Sequence, residues 1–303
     1  ALHTLVRLAE AKLPFSDALS QQLNALPASI YVVGGFGEGD RSLATVERLK
    51  PALGSWEELP PMATPRAHLA AVATGGYVYV LGGVNPEKGQ GWHSFLEDVF
   101  RFNPREGAWE VLAPMPTKRS LLAAVALEGK IYVLGGSRVG GPVLPTAECY
   151  DSVLKTWTTL APMPTGKAGL AAAALGGRVY ALGGHSGGHR LDAAERLDPA
   201  LGTWEVLPPM PTARAGLAAA ALGGRLYALG GFARGGLSAA VERLDPQTGR
   251  WEAAAPLPTP RSRLAAAALG GRLYALGGFA GCDAGFNVSD RVEVYNPEDG
   301  SWE

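Results

Sequence analysis

The sequence predicts an all-β chain, a six-bladed β-propeller of four-stranded antiparallel blades, on three observations. Six Gly-Gly doublets stand at Gly34-Gly35, Gly82-Gly83, Gly135-Gly136, Gly183-Gly184, Gly230-Gly231 and Gly277-Gly278, so their spacings are 48, 53, 48, 47 and 47 residues. One tryptophan follows each doublet, at Trp56, Trp109, Trp157, Trp204, Trp251 and Trp302, while Trp92 falls outside the pattern. An alanine-rich run precedes five of the doublets, as at Ala171 to Ala174 and Ala218 to Ala221. Self-similarity at this period is the signature of a repeat architecture.

The unit that starts at Arg214 shows why each element forms. Leu217 to Leu222 is a short apolar strand. Gly223-Gly224 is a two-residue hairpin turn, where positive φ carries no steric cost. Arg225 to Leu229 is a second strand, ended by Gly230-Gly231, and a polar loop runs from Phe232 to Ser238. Ala240 to Leu244 is a third strand, Asp245 to Gly249 a turn in which proline sets φ, and Trp251 to Ala255 a fourth strand. One such meander cannot bury both of its faces. Copies stacked around an axis bury them. Small alanines suit the crowded axis, and the bulky tryptophan suits the wide rim.

These units resemble kelch repeats. The resemblance rests on the doublets and on the tyrosine three residues before each (Tyr31, Tyr79, Tyr132, Tyr180, Tyr227, Tyr274). It rests further on the spaced tryptophan, a glutamate on the third strand and a Pro-x-Pro-x-x-Arg joint such as Pro209 to Arg214. It covers residues 30 to 303. The whole chain, 1–303, is expected to be a single propeller domain, with blades near 14–65, 66–118, 119–166, 167–213, 214–260 and 261–303.

The copies differ in ways that matter. The first lacks a good inner strand. Its expected place, Leu19 to Leu26, has leucines at helical spacing, with Ser16 as a cap and Pro27 as a stop. Either that segment is a poor inner strand, or it is a helix and Thr4 to Leu8 joins a sheet. Closure of the ring by N-terminal residues is the favoured outcome. The last copy ends at Trp302-Glu303, so its outer strand is expected to be short. Lys155 replaces the usual turn glycine, so that turn is expected to differ. Phe100 stands where other copies have glutamate.

Composition narrows the function. Net charge is −1, which argues against nucleic acid and anionic membrane. The longest apolar runs are too short to span a bilayer, no signal peptide is visible, and a soluble monomer is expected. Cys149 and Cys282 form no metal spacing and no disulfide framework. No nucleophile motif, phosphate loop or zinc pattern occurs, so no cofactor or metal is expected. A high ratio of arginine (20) to lysine (7) with abundant alanine suggests a GC-rich bacterial genome.

The candidate site is one mouth of the central channel, where the joints between blades and the loops after the glycines should converge. The joints carry Arg66, Arg119, Lys167, Arg214 and Arg261 at equivalent places, and Ala18 stands there in the first copy. A basic mouth would attract acidic ligands. Glu47, Glu148, Glu195, Glu242 and Glu293 also recur, so these cations can equally be structural partners of the glutamates. His68 and Arg263 are not repeated, which favours a functional role. The loops add Phe36, Glu38, Trp92, His93, Arg138, His185, His189, Arg190, Phe232, Arg234 and Phe279, a mix that suits recognition.

The kelch resemblance implies a binding scaffold, since arginines at these places contact acidic peptides in some members. The expected partner is a protein or an acidic small molecule. The resemblance also implies an enzyme alternative. Some bacterial six-bladed members are sugar-acid (sialic-acid-type) mutarotases, for which Glu38, His93, His185 and His189 are proton-shuttle candidates. A copper oxidase of the galactose-oxidase type would need a Tyr/His/Cys copper site that no spacing here supports.

Overall fold

A computed structural model of the chain describes residues 4–7, 29–37, 41–88, 94–138, 141–281 and 287–303. Six four-stranded sheets run in sequence order from inner to outer strand. Blade 1 is Thr4–Arg7, Ile30–Val33, Val46–Lys50 and Ser55–Leu59. Blade 2 is Ala70–Thr74, Tyr77–Leu81, Val99–Asn103 and Ala108–Leu112. Blade 3 is Ala123–Leu127, Lys130–Leu134, Ala147–Asp151 and Thr156–Thr159. Blade 4 is Ala171–Leu175, Arg178–Leu182, Ala194–Asp198 and Thr203–Leu207. Blade 5 is Ala218–Leu222, Arg225–Leu229, Val241–Asp245 and Arg250–Ala254, and blade 6 is Ala265–Leu269, Arg272–Leu276, Val292–Asn296 and Ser301–Trp302. The pairing in blade 5 is representative: Ala220 faces Tyr227, Tyr227 faces Arg243, and Arg243 faces Glu252.

The six inner strands neighbour one another in a closed circle. Thr4–Arg7 pairs with Ile30–Val33 and lies between the inner strands of blades 2 and 6, so N-terminal residues close the ring. The segment Leu19 to Leu26 lies outside the described residues.

Apolar clusters fill the wedges between blades. Tyr79 and Leu81 of blade 2 pack with Ile131, Val133 and Tyr150 of blade 3, and Tyr132 and Leu134 of blade 3 pack with Val179 and Leu197 of blade 4. At the rim five of the six repeated tryptophans reach back one blade. The indole N–H donates to the carbonyl of Pro60 from Trp109, Ala113 from Trp157, Ala161 from Trp204, Pro208 from Trp251 and Ala255 from Trp302, all at 2.9–3.0 Å. Trp56 has no such acceptor among the described residues and is 46% exposed.

One local expectation is overturned. The turn at Lys155 does not differ from its glycine counterparts. Lys155 adopts φ 57° and its N–H donates to the Asp151 carbonyl at 2.8 Å, as the Gly202 N–H does to Asp198. The Asp151 carboxylate accepts from the N–H groups of Val153 and Leu154, as Asp198 does from Ala200 and Leu201 beside Gly202, so the turn is the same with lysine in the left-handed place. Among the described residues no helix is long and apolar enough to cross a membrane.

Candidate functional site

The face bearing the joints is built by backbone bridges. The residue after each joint cation exchanges hydrogen bonds with the first residue after a Gly-Gly doublet: Ala67 with Val84, Ser120 with Ser137, Ala168 with His185, Ala215 with Phe232 and Ser262 with Phe279. Joint and loop therefore open on the same face. Three of these loops continue as small ribbons, His185–Ser186 with His189–Arg190, Phe232–Ala233 with Gly236–Leu237, and Phe279–Ala280 with Asn287–Val288.

One residue further along, each joint contributes to a belt around the axis. Its members are His68, Leu121, Gly169, Gly216 and Arg263, all with φ between 52° and 61°. Four of them donate an N–H to the carbonyl one blade back: Leu121 to His68, Gly169 to Leu121, Gly216 to Gly169 and Arg263 to Gly216, at 2.6–3.1 Å. The left-handed conformation suits glycine and strains the three residues with a Cβ.

Two cavities meet at the belt. The outer one, about 380 Å³, is lined by Leu121, Gly169, His185, Gly188, Arg190, Ala215, Gly216, Phe232, Ser262, Arg263 and Phe279. The Arg190 guanidinium lies 4.5 Å over the Phe232 ring and the Arg263 guanidinium 5.4 Å from Phe279. Each arginine is thus held over an aromatic face that favours its charge. Burial, reinforced by the charges of Arg263 and Arg190, lowers the His185 pKa, so its ring is neutral at pH 7. The inner cavity, about 150 Å³, lies on the axis and shares Leu121, Gly169, Gly216 and Arg263 with the outer one. His68 lines it, edge-on to Phe36 at 5.0 Å. Burial pushes the His68 pKa down to about 3, and Arg263 adds to the effect.

With the blades and the mouth in view, the comparisons decide the family. The KLHDC2/KLHL20/DRC7 Kelch-repeats domain matches residues 96–278, and the Kelch motif matches 29–63, 65–116 and 260–303. The chain belongs to the kelch-repeat family. Beta-scruin of Limulus polyphemus is 38% identical over 110 residues, 36% of this chain and 12% of scruin. Kelch-like protein 35 of Mus musculus is 34% identical and Kelch-like ECH-associated protein 1B of Danio rerio 33% identical, each over 112 residues, 37% of this chain and 18% of the relative. These matches span less than a fifth of each relative's length. A solved structure titled "Structure of YjhT" superposes with a TM-score of 0.78 at 19% identity, covering 100% of this chain and 97% of that one, a likeness of fold.

The kelch propeller does not use its repeated cations as a basic mouth. Arg66, Arg119, Lys167, Arg214 and Arg261 are all 0% exposed. Four of them pair with the repeated glutamates: Arg119 with Glu148 at 2.6 Å, Lys167 with Glu195 at 2.9 Å, Arg214 with Glu242 at 2.8 Å and Arg261 with Glu293 at 2.6 Å. Arg66, whose blade has Phe100 in place of glutamate, lies 4.7 Å over that ring and 3.6 Å from Asp98. Burial lowers its pKa to about 10, still charged at pH 7. The cations turn inward because they also satisfy blade carbonyls, as Arg214 does those of Gly230, Ala240 and Ala228. Their own carbonyls accept from the next doublet back, as Arg214 accepts from Gly184.

The non-repeated candidates fall elsewhere. His68, His185, Arg263 and Phe279 line the two cavities. Arg138, His189 and Arg234 are exposed on the same loops without lining either cavity. Trp92, His93 and Glu38 lie outside the described residues. No carboxylate lines either cavity among the described residues, so the mutarotase alternative gains nothing from this site. No three His, Cys, Asp or Glu side chains converge as a metal site among the described residues. The belt positions Leu121, Gly169 and Gly216 escaped sequence reasoning. Their signal was the offset of two from each joint cation, which marks His68 and Arg263 equally.

Proposed function

We propose that this kelch propeller is a protein-interaction scaffold whose cleft at the channel mouth binds an acidic segment of its partner. One observation carries the reading: two exposed arginines, Arg190 and Arg263, are held over Phe232 and Phe279 in a cleft of about 380 Å³ with no carboxylate among its described lining. Arginine on an aromatic platform binds carboxylates in a fork geometry and gives up little rotamer freedom in doing so. The neutral His185 beside them offers a hydrogen bond without adding charge. The kelch-like relatives make a protein partner the reading of choice.

The test is titration of the intact chain with fluorescein-labelled hexaglutamate, with hexalysine as control. Hexaglutamate is expected to bind and to weaken as salt rises. Arg263→Ala and Arg190→Ala should each lower affinity by roughly tenfold, the scale of one charge-assisted hydrogen bond. Unchanged affinity in both variants would refute the reading. The same preparation should sediment as a monomer.

A further inference from the structure

We propose that the outer edge of blade 3 is a second docking site, independent of the cleft, which takes one extended, uncharged segment of a protein partner as a fifth strand.

The sequence sets this edge apart. Glutamate follows the rim tryptophan in the other five blades, at Glu57, Glu110, Glu205, Glu252 and Glu303, and blade 3 has Thr158 there. In blades 1, 2, 4 and 5 that glutamate pairs with the arginine opposite it on the third strand: Arg48, Arg101, Arg196 and Arg243. In blade 3 both members are exchanged together, and Cys149 stands opposite Thr158. The strand Thr156–Thr159 therefore carries no charge. Lys155, just before it, is drawn aside to Glu110 of blade 2, 3.3 Å from its Nζ. Charges on an edge strand keep other chains from pairing with it. The other blades have that protection, and blade 3 lacks it.

The backbone of the edge is set for pairing. The Leu160 N–H donates to the Ala147 carbonyl at 2.9 Å. Bonded and non-bonded pairs alternate along an antiparallel ladder, so Thr156 and Thr158 turn their main-chain groups to the third strand, and Trp157 and Thr159 turn theirs outward. Ala161 continues the outward series, and its carbonyl accepts from the Trp204 indole, which marks where the open edge ends. The N–H and C=O groups of Trp157 and Thr159 are thus presented in register to an incoming strand.

The side chains define what that strand carries. Thr156, Thr158 and Thr159 are exposed, and β-branched residues pair well across strands. The strand offers no counter-charge to a lysine or a glutamate. In the turn that leads into it, Val153 and Leu154 are 83% and 71% exposed, so apolar surface continues the edge. A segment of valines and threonines fits this surface, whereas an acidic one is matched only at the mouth.

The probe is acetylated, amidated Thr-Val-Thr-Val-Thr with both valines N-methylated. Methylation blocks one edge of the peptide, so it cannot stack on itself, and leaves the threonine N–H groups on the other edge. The control is the same peptide N-methylated at every residue. At millimolar concentration the probe should move the amide resonances of Trp157 and Thr159 in the intact chain. It should leave those of Trp109, Val111, Trp204 and Val206, the same places in blades 2 and 4. The control should move none of them. Thr158→Glu gives an exposed position the residue of the other blades, and should weaken binding about threefold or more, while Thr158→Gln should not. Unmoved Trp157 and Thr159 resonances, equal shifts in the other blades, shifts with the control, or unchanged affinity in Thr158→Glu would each overturn the proposal. Shifts at Trp157 and Thr159 that grow with chain concentration in the absence of peptide also overturn it, in favour of edge pairing between two copies. None of these outcomes bears on the acidic cleft.

Discussion

Arg214 shows what a repeated charge does in a propeller. Its guanidinium donates to the carbonyls of Gly230, Ala240 and Ala228 and to the Glu242 carboxylate, which also accepts from the Thr212 hydroxyl at 2.6 Å. Arg214→Ala leaves the buried Glu242 carboxylate without its cation and takes a donor from three carbonyls, and should cost about 3–5 kcal/mol in a denaturant titration. Arg214→Met with Glu242→Leu removes both charges together and should recover most of that loss. A double variant no better than Arg214→Ala would mean that the carbonyl contacts, not the ion pair, dominate. His68 gives a second prediction at this scale. Its pKa is lowered in the folded chain, so the unfolded chain binds the extra proton first as pH falls. The stability it contributes is complete above about pH 6.5 and is lost between there and about pH 3. Urea midpoints of the natural chain should fall over that window more steeply than those of His68→Gly, and parallel slopes would contradict a buried neutral ring.

At the scale of the element, the doublets and the tryptophans divide the work. Gly230 holds φ +59° and a Cβ there would stand 2.6 Å from the Arg261 carbonyl oxygen, so Gly230→Ala meets both strain and backbone clash. It should destabilise by roughly 2 kcal/mol or more, read from the thermal midpoint. Trp204 is half-buried at the rim and loses both its packing and its bond to the Ala161 carbonyl on truncation, so Trp204→Ala should cost about 2 kcal/mol. These elements were legible because packing repeats. The strand Arg225–Leu229 is read correctly from its hairpin glycines and its closing doublet, and neighbouring strands to within one residue. The inward turn of the joint cations was not legible. Arginine and glutamate at fixed offsets are consistent with a ligand-facing ring and with internal pairing, and only the direction of the side chain decides. The Lys155 turn was misjudged because a single lysine can hold the left-handed φ that glycine holds in the other copies, at some cost in strain.

Across the whole molecule, the seam between blades 6 and 1 is held at the mouth by Phe36 of blade 1 against Phe279 of blade 6, 6.1 Å apart. In a ring whose units touch only their neighbours, strands packed between two blades open last. Amide exchange should be slowest in the second strands of blades 2 to 5, and uniform protection across all strands would contradict this.

The belt of hydrogen bonds around the channel has an electrical consequence. Its donors point head to tail about the axis, so their dipoles circulate and contribute little along it. An anion arriving at the mouth therefore meets no field like that of a helix terminus. Among the described lining of the cleft, Arg190 and Arg263 supply the attraction it feels. Replacing both with glutamate would invert the polarity of that lining.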